Sequence, residues 1–326
     1  MARIPAAVAT VRQAVRVALA GLPRGTRVLV ACSGGADSLA LAAASAFLAP
    51  RLGLEAGLVT VDHRLQEGSA ERAARLAGWA RVAGFDPVEV AMVEVTGPGG
   101  PEAAARSARY AALDEAAVRH RAAVVLLGHT MDDQAETVLL ALARGAGPRG
   151  LAGMPVRRGR LLRPLLTVAR ADTRKACASL GLSPWEDPHN TDPAYARSRV
   201  RGQALPALVA ALGPAVVDNL ARTAALLGAD TAALDALAAE ALATARTERG
   251  LSVATLAALG PAVRGRVLHT WARELGARGG ALSHRHVAAL EALVVDWHGQ
   301  GATHLPGGAA VARRHGVLVR VDPDSL

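Results

Sequence analysis

Aromatic residues are scarce: Trp, Tyr and Phe together make up 2% of the 326 residues. With apolar residues at 51%, the interior must be built mainly from Ala, Val and Leu, which is a helix-rich globular composition and not a disordered one. Cysteine is nearly absent. Cys32 and Cys177 lie far apart and form no CxxC or zinc-ligand spacing, so neither a disulfide framework nor a metal finger is expected. Lysine is rarer still, since Lys175 is the only one. No apolar run reaches the length of a membrane span. Residues 1–21 carry Arg3, Arg12 and Arg16 without a continuous apolar stretch, and read as a first helix, not a signal peptide. These absences predict a soluble, cytoplasmic chain with no membrane partner.

What is abundant is positive charge. Basic residues outnumber acidic ones 37 to 28, giving a net charge of +9 and a sequence pI near 11.0. A guanidinium meets phosphate with a planar two-pronged donor set, so an arginine excess fits a nucleic-acid partner. A GC-rich genome favours arginine too, and charge alone leaves a plain basic surface open.

The first half alternates between two periodicities. Residues 27–32 (RVLVAC), 57–61 (GLVTV), 87–95 and 123–127 (AVVLL) read as short buried strands, and 38–48, 66–84, 102–120 and 133–143 as helices between them. The alternation predicts an α/β fold with a doubly wound, mostly parallel, Rossmann-like sheet, and ligands at the carboxyl ends of its strands. Residues 144–160 (RGAGPRGLAGMPVRRGR) read as a Gly/Pro/Arg-rich loop that is ordered or orders on contact. RPLL at 163–166 adds a short strand, 167–180 a helix, 185–201 a polar, turn-rich stretch and 205–212 a further helix. Ala/Leu helices follow, the longest over 230–247. LPGG at 305–308 then precedes two short strands, 310–314 and 317–321. We expect two domains, 1–212 and 213–326, the second smaller, mainly helical and ending in a β-hairpin.

Chemistry concentrates at the strand ends. SGGADS (residues 33–38) follows the first strand and opens a helix. Gly34 and Gly35 let the backbone curl around phosphate oxygens, with N–H groups and the Ser33 and Ser38 hydroxyls as donors. Asp37 repels a bare phosphate and makes sense with a metal ion between them. The spacing is neither GxxxxGK[ST] nor GxGxxG. The plain alternative is a glycine turn with a capping serine. GHTMDDQAET (128–137) places His129, Asp132, Asp133 and Glu136 after the fourth strand. Asp133 and Glu136, three apart, share a helix face and can hold a metal or a cationic group; capping explains one of the acids but not the set. An HExxH zinc spacing is absent. Asp62 and His63 (VDH) end the second strand. Arg106 and Arg109 (EAAARSARY) share a helix face, toward phosphate or toward solvent. WEDPHNTDPAYARSRVR (185–201) carries Arg197, Arg199 and Arg201.

SGGADS resembles the pyrophosphatase loop, or PP-loop, of the adenylating N-type ATP pyrophosphatases. VDH, ARSARY, GHTMDDQAET, RGAGPRGLAGM, RPLL and WEDPHNTDPAYARSRVR then follow in the order seen in tRNA(Ile)-lysidine synthetases. The match is dense over residues 28–206 and sparser beyond, and the chain resembles the short form of that family. The resemblance implies ligation of free L-lysine to carbon 2 of the first anticodon cytidine of the isoleucine tRNA with anticodon CAU. ATP adenylates the base first, and AMP and pyrophosphate leave. It implies ATP on Ser33, Gly34, Gly35, Ala36, Asp37, Ser38, Asp62, His63 and His129, with Mg²⁺ on Asp37. Lysine would lie on Asp133 and Glu136. Catalysis would rest on Asp37, Arg109 and Asp133, and tRNA contact on Arg106, Arg144, Arg149, Arg197, Arg199 and Arg201. Alanine at Asp37 or Asp133 is expected to abolish product while leaving the fold intact. Arg64 and Gln66 stand where the family often has Gly and Arg, and His189 where Ser is common. Another tRNA-modifying adenylating activity, thiolation, shares the loop but usually needs cysteines in a pattern that Cys32 and Cys177 do not make. The sequence leaves open whether the chain pairs as a homodimer.

Overall fold

The side chains of the first strand, β1 (Arg27–Ala31), alternate between two cores. Val28 and Val30 enter one with α1 (Ala6–Leu19) and α2 (Ala36–Leu52). Leu29 enters the other, beneath α4 (Pro101–Arg119). The structure is a computed structural model and describes residues 4–64, 66, 68–95, 100–187, 192–278 and 281–321, the side chains of 101 and 102 excepted. It divides into two compact units, Met1–Gly228 and Ala229–Leu326.

In the first unit β1 pairs in parallel with β2 (Glu55–Asp62) and β4 (Val124–Leu127). β3 (Val88–Met92) extends the sheet beyond β2, and β6 (Leu161–Leu162) beyond β4. A two-residue strand, β5 (Arg157–Arg158), runs antiparallel on β6, so the order is β3-β2-β1-β4-β6-β5. Helices α3 (Ser69–Val82), α5 (Met131–Ala143) and α7 (Arg170–Ser179) follow β2, β4 and β6. This is the doubly wound, mostly parallel sheet expected, with one antiparallel edge. Strand order reverses between β1 and β4, where such sheets open a crevice at their carboxyl ends. SGGADS follows β1 and GHTMDDQAET follows β4, so the topology brings both motifs to that crevice.

Three local readings need correction. The short strand expected at RPLL lies just upstream, as β6, and residues 164–167 are a turn. Residues 144–160 are built around a one-turn helix, α6 (Pro148–Leu151), and β5. The long helix expected over 230–247 is α10 (Val216–Ala245), which follows α8 (Ala196–Arg199), a π-helical stretch (Val200–Ala204) and α9 (Leu205–Leu212). It runs unbroken through Gly228 and carries residues of both units.

The second unit also holds α11 (Val253–Ala257), α12 (Pro261–Glu274) and α13 (His284–Val295). The expected hairpin is present as β9 (Ala310–Arg314) and β10 (Val317–Val321). β7 (Gly250–Ser252) and β8 (Thr303–His304) flank it in an antiparallel sheet of order β7-β10-β9-β8. No single helix among the described residues is long and apolar enough to cross a membrane.

Candidate active site

β1 delivers the chain into residues 33–38 at the crevice. Gly34 turns through φ +85°, the left-handed region that glycine takes without strain, and Gly35 is the N-cap of α2. Ser38 Oγ ties the loop together: it accepts from the Ser33 N–H at 3.1 Å, lies 3.2 Å from Ser33 Oγ and donates to the Gly35 carbonyl at 2.9 Å. Across the crevice, a Cβ on Gly128 would stand 3.0 Å from Ser38 Cα and N, so glycine lets the end of β4 approach the loop. The Trp185 N–H donates to the Gly34 carbonyl at 3.0 Å, and Arg72 stacks on the Trp185 ring at 4.3 Å. Free N–H groups at the start of α2, and the positive end of its dipole, make the loop a cradle for an anion.

Asp37 sits in the first turn of α2. Thr173 donates its hydroxyl to Asp37 Oδ1, and Arg170 Nε lies 3.7 Å from Oδ2. Burial pushes this carboxyl up, the Thr173 bond opposes it, and the neighbouring Asp133 adds to the rise. Its side chain stays 25% exposed. Such an acid, with an oxygen edge open beside a phosphate cradle, fits Mg²⁺, which takes one or two carboxylates plus phosphate oxygens and water. Among the described residues no group of three or more His, Cys, Asp or Glu could hold a metal by itself.

The acids of α5 are met by three guanidinium groups. Arg170 Nη2 donates to Asp133 Oδ1 at 2.9 Å and Glu136 Oε1 at 3.0 Å. Arg197 donates to Glu136 Oε2 at 2.8 Å and Asp133 Oδ1 at 3.3 Å, and Arg201 to Glu136 Oε1 at 2.7 Å and Asp133 Oδ1 at 3.2 Å. Asp133 Oδ2 takes the Thr130 N–H and hydroxyl, closing a capping box at the start of α5. Asp132 Oδ2 takes the Arg170 N–H at 2.7 Å. Glu136 is fully buried. Burial works against ionising both acids, but Arg170 and Arg197 outweigh it at Asp133, and Arg201 and Arg170 at Glu136. Both carboxyls are held below the usual range. Arg170 thus touches Asp37 on one side and Asp133 and Glu136 on the other, making loop and acids one site.

Positive charge dominates the wall near β2 and β4. Burial pulls the Arg109 guanidinium down, with nearby Arg106 and Arg197 adding to it. Arg106 and Arg109 lie over the Tyr110 ring at 5.0 and 5.5 Å. Burial and Arg109 lower His63. Burial, then Arg109, Arg163 and Arg197, push His129 down to about 3 against the pull of Asp133, so it stays neutral. Nδ1 of each histidine and Nε of Arg163 are buried without a hydrogen-bond partner in the described structure. Asp62 Oδ1 accepts the Arg64 N–H at 2.9 Å.

The structure therefore gathers Ser33, Gly34, Gly35, Ala36, Asp37, Ser38, His129, Asp133 and Glu136 at one crevice. It sets Arg197 and Arg201 on the acids, not in solvent. Arg199 is held by the Pro193 and Ala194 carbonyls, and Arg106, Arg144 and Arg149 are exposed. His189 lies outside the described residues. Sequence reasoning missed Arg170, Thr173 and Arg163. The one signal was chemical: a cluster of acids behind a buried strand demands cations, and Arg170 opens α7.

Two family models match the chain: a PP-loop domain over residues 9–208, and the TilS substrate binding domain over residues 251–319. The tRNA(Ile)-lysidine synthase of Salinispora tropica is 69% identical, with 99% of each chain covered. That of Thermobifida fusca is 58% identical over 98% of this chain and 99% of its own. Among solved structures, the U34-tRNA thiolase NcsA from Methanococcus maripaludis with its [4Fe-4S] cluster aligns with a TM-score of 0.57 at 17% identity. It covers 68% of this chain and 80% of its own, a likeness of fold alone. With near-complete coverage at such identity, and with both of its regions matched in order, the chain belongs to the tRNA(Ile)-lysidine synthase family.

Proposed function

We infer that this chain ligates free L-lysine to carbon 2 of the first anticodon cytidine of the isoleucine tRNA with anticodon CAU, consuming ATP in the cytoplasm. The carrying observation is Arg170, whose side chain reaches Asp37 at the phosphate cradle and both acids of α5. ATP enters with its leaving pyrophosphate in residues 33–38. The cytidine carbonyl oxygen attacks the α-phosphate, forming the O–P bond as pyrophosphate departs. The lysine amine, having lost a proton, then attacks ring carbon 2 and expels AMP. Held by Asp37 and phosphate oxygens, Mg²⁺ would offset the charge growing on the pyrophosphate. Arg109 and Arg106 offset charge on the α-phosphate or the tRNA backbone.

Asp133 and Glu136 are assigned the lysine side chain. All four of their oxygens are engaged in this structure, so a lysine ammonium must take the place of one arginine. Exchanging one cation for another leaves the cluster's charge unchanged, which makes the swap affordable at a buried site. The displaced arginine, Arg197 or Arg201, is then available to a tRNA phosphate. We assign catalysis to residues 1–212 and further tRNA contact to 213–326, a division that the family matches at 9–208 and 251–319 support.

Thiolation is disfavoured by the cysteines. Cys32 bonds to Ser38 Oγ and Cys177 to the Ala36 carbonyl; both are buried, and a cubane cluster wants more thiolates than two. The test is lysine incorporation with Mg²⁺-ATP and labelled lysine, comparing CAU-anticodon isoleucine tRNA with initiator methionine tRNA. Label in the isoleucine tRNA alone, with AMP and pyrophosphate formed, is the expected result. Folded protein that binds ATP and labels neither tRNA refutes the assignment. Light scattering on the same preparation decides whether it works as a homodimer.

A further inference from the structure

Two motifs contain residues that the reaction leaves unexplained: the Gln of DDQAET and the Gly-Met that closes RGAGPRGLAGM. The structure joins them. Gln134 Nε2 donates to the Met154 carbonyl at 3.0 Å, and the Met154 N–H donates to Gln134 Oε1 at 2.8 Å. The carboxamide thus pairs with a single residue's backbone as a neighbouring strand would. Gly153 stands at φ +64°, and a Cβ on it would lie 2.7 Å from Gln134 Oε1, so conformation and space both require glycine there. Met154 is buried, whereas Arg144, Arg149, Arg157, Arg158 and Arg160 are all exposed. The Pro155 carbonyl next door is taken by Arg163 Nη1 at 2.8 Å. An arginine-rich, mostly solvent-facing segment is therefore tied down at Met154 by Gln134, which follows Asp133 on α5, while Arg163 and the β5–β6 pairing hold it further along.

We propose that Gln134 is a positioning residue that fixes the arginines of residues 144–160 for the RNA backbone and ties that segment to the helix carrying the acid pair. It acts through the segment and touches no reacting atom. Without the carboxamide, the Met154 N–H and carbonyl lose their partners in a buried place, and the segment relieves this by lifting into water. The arginines then sample many positions, and RNA affinity falls while the ATP cradle, built on other elements, stays formed. The inference deepens the proposed reaction and rests on it for the identity of the RNA.

The experiment uses the full chain with Gln134→Ala, measuring binding of CAU-anticodon tRNA across salt concentrations, KM for tRNA and for ATP, kcat and thermal unfolding. We expect tRNA affinity to drop about tenfold or more and the log–log salt slope to flatten, as phosphate contacts are lost, with KM for ATP within about twofold of wild type. In an Arg149→Ala background the same change should cost less than in the wild type, because the two act through one segment. Unchanged tRNA binding, or equal losses for ATP and tRNA that track a lowered unfolding temperature, overturns the proposal. If Gln134→Ala folds poorly, Gly153→Ala breaks the same contact from the other side and is judged by the same criteria. Because tRNA binding is read without lysine, the outcome stands apart from the labelling assay. A wild type that binds tRNA but forms no lysidine sinks the reaction and not the anchor.

Discussion

Asp37 is a carboxylate placed where its charge is costly until a cation arrives. A folded-state pKa raised above the unfolded value means stability present in acid and lost as pH rises through the folded value. Asp37→Asn, which keeps an oxygen for Thr173, should abolish lysidine formation. The unliganded variant should unfold at a higher temperature than wild type at neutral pH, with the gap closing in acid; calorimetry at several pH values reads both. Glu136 has the opposite sign: held below the usual range, its contribution is present above the unfolded pKa and disappears as pH falls below about 4. Removing it strands Arg170, Arg197 and Arg201, so Glu136→Gln should cost on the order of 3–5 kcal/mol in denaturant unfolding. By the same reasoning, Asp133→Ala removes a helix cap as well as a pairing partner and should not leave the fold untouched, contrary to the sequence-based expectation. Arg64 holds φ +53° in the left-handed region, which glycine takes without strain. Arg64→Gly should be neutral or stabilising by up to ~1 kcal/mol, with activity retained. The local motifs singled out the acids that cluster at the crevice. Their partners, drawn from Arg170, Arg197 and Arg201, were not legible because nothing local in a sequence states which distant cation folds onto an acid.

At the scale of elements, the strands and the closing hairpin could be read because each is a short apolar run bounded by turn residues. The pair at 310–314 and 317–321 matched in both bounds. The long helix expected from 230 begins at Val216 instead, and Gly228 inside it has open space around it, so the helix passes through without a clash. β7 and β8 were missed because strands of three and two residues carry no period. What their pairing needs comes from β10 and β9. The cap on α5 offers a direct test of how elements set the site. Thr130→Ala removes the hydroxyl that bonds Asp133 and should cost roughly 0.5–2 kcal/mol. If Asp133 is oriented by that cap, KM for lysine should rise more than KM for ATP.

The whole molecule is a basic body carrying its excess as arginine. Steady-state kinetics across ionic strength should show KM for tRNA rising steeply and KM for ATP far less, since many phosphates are met in one case and few in the other. Lys175 stands exposed on α7, the helix whose Arg170, Thr173 and Cys177 reach the start of α2. A protein assigned free lysine as its substrate therefore displays a single lysine side chain of its own. Amine-directed reagents have one side-chain address, so a dye placed there, with the α-amine blocked, becomes a defined reporter rather than a mixture. Sitting on the helix that braces Asp37, it should change signal when nucleotide fills the cradle.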